Sequence, residues 1–345
     1  MTASLSHSLS HAALCVLLTV AATACTPRGS GSGGSADDDD DSAVDDDDSA
    51  GDDDDSGDDD DTTGDDDDAT GDDDDATLTE ADLVCQRWVD DRLDLSEGGW
   101  TGDVGTCDPG DTVAPGRANA LRLVNLYRWL AGLPPVTTAA SLDGAAQSCA
   151  LIAHANGLLS HSPPSTWDCW TELGATASAR SSIAPDPGVD AVDLYMADPG
   201  NSTTMGHRRW ILSNTIGPIG LGSTSAYSCM YVVGGSGSAG ADWTAFPSPG
   251  PFPIEAMTAA WADVDDTGWT FQSDSLNLNG AQVTVTREGQ DLPVTVVELG
   301  ANYGSDQALN ILPQGWVSEA GGSYDVTVIA SSETVQYTVE FVDCP

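Results

Sequence analysis

The sequence predicts an α+β chain, with a mostly helical part followed by a C-terminal antiparallel β-sandwich of the immunoglobulin-like kind. Apolar residues recur at helical spacing in "RANALRLVNLYRWLAGLPP" and "SLDGAAQSCALIAHANG". The later stretches "LPVTVVEL", "YDVTVIAS" and "VQYTVEFV" alternate apolar and polar residues, as strands with one buried face do. The residue pattern changes from helical spacing to alternation after "AFPSPGPFP", so we expect two domains, over residues 79–245 and 250–345.

The first 24 residues are a predicted signal peptide. Their apolar run of about a dozen residues ends in small residues and is too short to span a bilayer. It closes on Ala22-Thr23-Ala24-Cys25, which resembles the lipobox of bacterial lipoproteins, in which the cysteine is acylated. The resemblance implies a membrane anchor on Cys25 and a place in the cell envelope or on the outer surface. Secretion without an anchor is the alternative.

Residues 25–78 are predicted to form a disordered tether. A Gly/Ser stretch leads into a tract in which 25 of the 39 positions from Asp37 to Asp75 are Asp, and this tract supplies much of the net charge of -46. Such a segment has no core to bury, and repulsion between its carboxylates extends it. It could gather Ca²⁺ loosely. With 10 Lys+Arg against 56 Asp+Glu, nucleic acid is excluded as a partner.

An even number of cysteines follows the anchor position, which in an exported chain indicates three disulfides. Proximity along the chain favours three pairs among the many that are allowed: Cys85–Cys107, Cys149–Cys169 and Cys229–Cys344. The first pair lies in a segment that we predict to be a loop.

Capping and turn residues set the expected bounds of the remaining elements. Ser141 is a candidate N-cap for the second helix, which Gly157 ends. A third, short helix before Pro199 is followed by strand-like sequence in "IGPIGLGSTSAYSCMYVVGG". Asn279-Gly280 predicts a hairpin turn at the start of the sandwich.

The stretch "TTMGHRRWILSN" places His207 beside two arginines in an otherwise acidic chain. We expect His207 in a loop before a strand, and Arg208 and Arg209 as partners of nearby acids or of an anionic ligand at a cleft rim. Glu172 lies among apolar neighbours, where a carboxylate must find a partner or be protonated. His154, in the middle of a helix, is interpreted as a packing or surface residue.

Four segments together resemble one family. "NLYRWLAGLPPV", "LDGAAQSCALIAHANGLLSH", "TELGA" and "GHRRWILSNTIGPIGLG" are similar, in order and approximate spacing over residues 116–235, to motifs of the CAP superfamily. That superfamily contains cysteine-rich secretory proteins, insect venom antigens and plant pathogenesis-related proteins. The piece "GHRRWIL" followed by "IGLG" is the most specific. "TELGA" stands where the family has "GEN", with Leu173 in place of Asn.

The resemblance implies a CAP-type α-β-α sandwich with a cleft lined by two histidines and two acidic residues. His161 and His207 match the family histidines, and Glu172 matches the first acid. For the second acid, Asp198 is the first candidate and Asp193 the second. Two neutral imidazoles with carboxylates can hold a divalent metal, with Zn²⁺ favoured, so His161 and His207 are also candidate metal ligands.

The sequence favours a binding protein over an enzyme. It has no HExxH and no GxSxG, and every cysteine after Cys25 is assigned to a disulfide. We therefore expect non-catalytic recognition of a lipid, a cell-wall fragment or a protein through the cleft. One alternative is a metal-assisted hydrolase or peptidase that uses the same cleft. Another is a structural or adhesive surface protein in which the β-sandwich does the work.

Overall fold

The computed structural model describes residues 78–345, in which most helices lie in the first half and most strands in the second. The predicted signal peptide, the acylation site Cys25 and the poly-Asp segment with its loose Ca²⁺ lie outside the described residues. The helices are α1 (Glu80–Arg92), α2 (Gly116–Leu130), α3 (Ala140–Asn156), α4 (Glu172–Ser178), α5 (Asp190–Ala197), α6 (Gly206–Ile211) and the single turn α7 (Val264–Thr267). Among residues 78–345, none of them has the length and apolar character needed to cross a membrane.

Twelve strands form three sheets within the described residues. The strands are β1 (Ser181–Ala184), β2 (Gly220–Ser223), β3 (Ser228–Tyr231), β4 (Thr244–Phe246), β5 (Gly250–Pro253), β6 (Trp269–Ser273), β7 (Gln282–Arg287), β8 (Gln290–Leu292), β9 (Val294–Glu298), β10 (Gln307–Pro313), β11 (Ser323–Ile329) and β12 (Thr334–Val342). The first sheet has the order β1-β3-β2, the second β4-β6-β10-β9 and the third β5-β12-β11-β7-β8. The predicted α+β class is confirmed.

The first sheet is the middle layer between two sets of helices. Cys229 and Ile183 pack with Ala145 and Ala146 of α3, whereas the next residue of each strand, Met230 and Ala184, joins the core formed with α2 and α5. Successive side chains of a strand point to opposite faces, so each short strand supplies both layers. This gives the α-β-α arrangement expected from the resemblance.

Glycine allows α3 to lie very close to this sheet. A Cβ built on Gly222 would lie 2.1 Å from the backbone nitrogen of Gln147, which no side chain tolerates. The side chain of Gln147 uses this proximity, because its Oε1 accepts from the backbone N–H of Ser223 and its Nε2 donates to the carbonyl of the same residue. The last glycine of the "IGLG" motif, Gly222, is therefore required for the close packing of α3 on the sheet.

Two sequence-based bounds need correction in the helices. Helix α3 begins at Ala140 rather than after Ser141, because the backbone N–H of Ala139 is already bonded to Ile219 and fixes the entry of the chain. Gly157 ends the helix in the left-handed conformation, as predicted. The predicted loop around Cys85 is wrong: it is helix α1, which begins at a capping box of Thr79 and Asp82.

The C-terminal sheets form a sandwich whose core is rich in aromatic rings. Phe271 of the second sheet stacks on Tyr337 of the third, and Trp269 meets Tyr324 and Phe341 edge to face. All pairings within these two sheets are antiparallel except that of β5 with β12, which is parallel. The predicted hairpin at Asn279-Gly280 is wrong, because that turn leads into β7 with no paired strand before it.

The six cysteines of the described residues form three disulfides, but each predicted partner is wrong. The bonds are Cys85–Cys344, Cys107–Cys169 and Cys149–Cys229. The first joins α1 to the end of the chain across a sequence separation of 259 residues, and the third joins α3 to β3. The fold places each cysteine beside a partner that is 62 residues or more away in sequence, so proximity in sequence misleads.

Candidate functional site

A cavity of about 880 Å³ lies where the helical layer, the edge strand β1 and a loop of the β-sandwich meet. This volume is within the range of about 300–1,000 Å³ that is typical of small-molecule sites. The lining side chains come from the segments around His161, 179–182, 199–210, Val233 and 301–303. None of the described residues that line it is Asp, Glu, Lys or Arg.

His207 lies in this cavity with its ring held from behind by Asp198. The Nδ1 atom of His207 is 2.8 Å from Oδ1 of Asp198, and the backbone N–H of His207 donates to Oδ2 at 3.1 Å. A carboxylate can only accept, so Nδ1 carries the proton and Nε2 is the free nitrogen of the neutral ring. The ring also packs against Tyr195, at 5.2 Å between centroids.

Asp198 owes its position to the end of helix α5. It is the C-cap residue in the left-handed conformation (φ 52°), which Asp adopts more readily than most residues. It is fully buried, and Asn201 donates to Oδ1 at 3.2 Å. The sequence had placed His207 in a loop, but it is the second residue of the short helix α6, so the acid and the imidazole come from consecutive helix ends.

His161 enters the same cavity from the connection between α3 and α4. Its Nδ1 atom is 2.8 Å from the backbone carbonyl of Ser178, which lies at the end of α4. A carbonyl oxygen also only accepts, so His161 too has its proton on Nδ1 and a free Nε2. The structure thus brings together the two predicted histidines and gives both rings the same tautomer.

The remaining predicted acids do not reach the cavity. Glu172 is the exposed first residue of α4, next to the capping Thr171, and it is not among the lining residues. Asp193 is bonded to Arg92, at 2.7 Å and 2.9 Å, and accepts from the hydroxyl of Tyr127. Of the two candidates for the second acid, Asp198 is therefore the one next to a cleft histidine.

Arg208 and Arg209 do not pair with acids as expected. Both are completely buried, and burial lowers the pKa of each to about 10. Arg208 donates to the carbonyls of Met196, Ala197 and Gly268. Arg209 donates to carbonyls on both sides of the cavity, and its partners are Thr204, Gly300 and Ser305. These arginines join the helical part to the loops of the β-sandwich.

The sandwich loop at residues 301–303 is the wall that the sequence did not predict. Tyr303 lies against Gly206, where a Cβ would be 3.0 Å from Cδ1 of the tyrosine ring. The backbone N–H of Gly300 also donates to the carbonyl of Thr203 at 2.9 Å. Positions 203–206 and 300–303 are about a hundred residues apart in sequence, and no periodicity or motif links them.

The donor set does not fit the predicted metal ion. Among residues 78–345, no group of three or more His, Cys, Asp and Glu side chains could hold one. A catalytic zinc site needs three protein ligands, and here Asp198 is already engaged with Nδ1 of His207 while Glu172 lies outside the cavity.

The described part of the chain also shows no side-chain nucleophile bonded to either histidine. The cavity is lined by Ser181 and Ser182, but their hydroxyl oxygens are buried and make no hydrogen bond within residues 78–345. An activated serine would contact the free Nε2 nitrogen of a neighbouring imidazole. The two imidazole rings therefore provide two hydrogen-bond acceptors, their Nε2 atoms, in fixed orientations.

Comparison with known proteins identifies the domain that carries this site. The family model described as CAP, the cysteine-rich secretory protein family, matches residues 121–236. No curated protein and no solved structure matches the chain. The matched segment runs from α2 through β3 and includes His161, Asp198 and His207. Residues 121–236 are thus similar to the CAP domain of the cysteine-rich secretory protein family, and we call this part of the chain the CAP domain; the β-sandwich adds one wall of the cleft.

Proposed function

We propose that this is an exported, lipid-anchored bacterial CAP-domain protein that binds a ligand without catalysis through the cleft around His161 and His207. The observation that carries the proposal is the shared cavity, in which both imidazoles have Nδ1 fixed by an acceptor. Each free Nε2 nitrogen can accept a hydrogen bond from a ligand hydroxyl or N–H group. The candidate ligands are a lipid, a cell-wall fragment and a protein.

The disulfides support export. Three of them hold residues 85–344 together, and such bonds persist in oxidising compartments outside the cytosol. The lipobox-like sequence at Cys25 and the acidic tract after it support a lipid anchor with a long spacer. Labelling with an alkyne analogue of palmitate tests the anchor: the full chain should take up the label, and Cys25→Ser should not. Equal labelling of both would contradict it.

A metal-assisted hydrolase or peptidase is the second candidate, and one observation favours it. The pair of Asp198 and His207 has the geometry of a carboxylate that orients a general base, as in many hydrolases. The described residues supply neither a nucleophile in contact with His207 nor a third metal ligand. For this reason we place binding ahead of hydrolysis.

The two candidate functions predict different results for zinc binding and peptide cleavage: only the hydrolase requires both, and both would depend on the histidines. We would measure zinc uptake and cleavage of a mixed peptide library by the full chain and by a His161→Ala/His207→Ala variant. His154→Ala is the matched control. The ring of His154 packs between Trp100 and Tyr227 and does not line the cavity. Histidine-dependent zinc uptake with peptide turnover would refute the binding proposal. Absence of turnover, with ligand binding lost only in the double variant, is the expected result.

A further inference from the structure

From the chemistry of the cleft walls we infer that the ligand is a neutral oligosaccharide, recognised in part by Tyr303 of the β-sandwich. This inference rests on the proposed function and narrows its ligand class. The first support is charge. In a chain with 56 Asp+Glu, none of the residues that line the cavity is Asp, Glu, Lys or Arg. An anionic ligand would find no cation there, and a cationic ligand would find no carboxylate.

The second support is the set of unused hydrogen-bonding groups. Thr203, Asn302 and Tyr303 are exposed and Trp210 is half-buried, and all four residues line the cavity. Within residues 78–345, their side chains make no hydrogen bond. Together they offer two hydroxyl groups and an amide, which both donate and accept, and an indole N–H, which only donates. With the Nε2 atoms of the two histidines, they suit a ligand that carries many hydroxyl groups.

The third support is the pair of aromatic side chains. Tyr303 is 43% exposed, and Trp210 is half-buried in the wall of the same cavity. Aromatic rings with a polar edge suit ligands that are apolar on one side and wet on the other. A sugar ring has this character, because its C–H bonds cover one face while its hydroxyl groups point outwards. A fatty acyl chain would leave the amide and hydroxyl groups of the wall unpaired, which costs binding energy.

The loop that carries Tyr303 is held at both ends. Arg209 donates to the carbonyl of Gly300 at 2.6 Å and to that of Ser305 at 3.0 Å. The backbone N–H of Asn302 donates to the carbonyl of Ser305 at 3.1 Å. A loop fixed in this manner loses little conformational freedom when the ligand binds. Tyr303 is thus a residue that sets specificity from outside the CAP domain.

Calorimetric titration of the full chain, purified in mild detergent, tests this inference. The probes are chitotetraose as a neutral oligosaccharide, tetragalacturonate as an acidic one and cis-parinaric acid as a fatty acid. Chitotetraose should bind, and Tyr303→Ala should weaken its binding by roughly two- to tenfold, the loss expected of an aromatic contact. Tyr303→Phe keeps the ring and should lose less. Trp261→Ala is the matched control, because this aromatic side chain is 76% exposed and lies away from the cavity.

Each other result overturns the inference in a recognisable way. If tetragalacturonate binds more tightly than chitotetraose, the reasoning from charge is wrong. If only cis-parinaric acid binds, and its binding requires His161 and His207, the proposed ligand-binding function is supported and the inference of an oligosaccharide ligand is wrong. If Tyr303→Ala binds chitotetraose as tightly as the unchanged chain, the sandwich loop has no role in specificity. If no probe binds, the oligosaccharide inference is wrong, and the proposed cleft function is left with a protein as its ligand.

Discussion

Replacing Arg209 with leucine is the sharpest test of how the cleft is built. The guanidinium of Arg209 is completely buried between the loop that precedes α6 and the loop that follows β9. It donates to the carbonyls of Thr204 at 2.9 Å, Gly300 at 2.6 Å and Ser305 at 3.0 Å, and to the hydroxyl of Ser305. Leucine fills part of the same volume and removes every one of these donors.

The expected loss follows from the acceptors that remain. Three carbonyl groups would lose a charged donor, and a buried acceptor without a partner costs about 1–3 kcal/mol. Against this, leucine does not have to be desolvated as a cation, a cost visible in the lowered pKa of Arg209, about 10. Combining the two, we expect Arg209→Leu to lower the free energy of unfolding by about 3–5 kcal/mol, a large part of the roughly 5–15 kcal/mol of a typical domain.

Urea unfolding of the full chain, without reductant and followed by tryptophan fluorescence, measures this loss. Arg87→Leu is the control, because the side chain of Arg87 is 43% exposed and its ion pair with Asp91 lies on the surface of a helix. Surface pairs of this kind contribute about 0–1 kcal/mol. If Arg209→Leu costs no more than Arg87→Leu, the buried arginine does not join the CAP domain to the sandwich, and our account of the cleft wall is wrong.

Three further predictions follow from individual contacts. Gly304 has φ +77°, and a Cβ there would lie 2.4 Å from the carbonyl oxygen of Arg209. Gly304→Ala should therefore lower the unfolding midpoint more than the control Gly315→Ala, because Gly315 has φ +79° but a Cβ there would have nothing within 4 Å. Equal midpoints would refute the close approach. Burial raises the pKa of Glu97 above its ordinary 4.5, so its contribution to stability is present below that value and is lost as the pH rises through the folded pKa. The unfolding free energy of the unchanged chain minus that of Glu97→Gln should consequently decrease as the pH rises from about 4 to 6, and a difference that increases would contradict the assigned cause. In ¹⁵N NMR spectra at alkaline pH, His207 should show a protonated Nδ1, and Asp198→Asn should weaken that preference; an Nε2–H tautomer in the unchanged chain would contradict the contact with Asp198.

Sequence patterns were sufficient for the elements that have a clear period. Helix α3 and strands β11 and β12 alternate or recur as predicted because one face of each is buried. Helix α1 was missed because it buries only Val84 and Trp88, so its apolar pattern is weak. Its capping box at Thr79 and Asp82 was the available signal.

Pairings between distant segments had no comparable signal. The bond between Cys85 and Cys344 depends on α1 packing beside β5, which is determined by the whole fold rather than by local sequence. The resemblance to the CAP superfamily singled out His161 and His207, which line one cavity, because its motifs record the positions of residues that converge in space. It gave no information on Tyr303, because the matched segment ends at residue 236.

The two buried arginines explain why a CAP domain and a β-sandwich form a single cleft in this chain. An arginine in a short loop at the surface would be solvated and would impose no position on its neighbours. Arg208 and Arg209 are completely buried, so each must find acceptors inside the protein. These acceptors include the carbonyls of Gly268, Gly300 and Ser305 on the sandwich side. Satisfying them fixes Tyr303 against Gly206, one residue before His207. The "GHRRW" motif therefore contributes twice, through the imidazole that lines the cavity and through the two cations that hold the opposite wall in place.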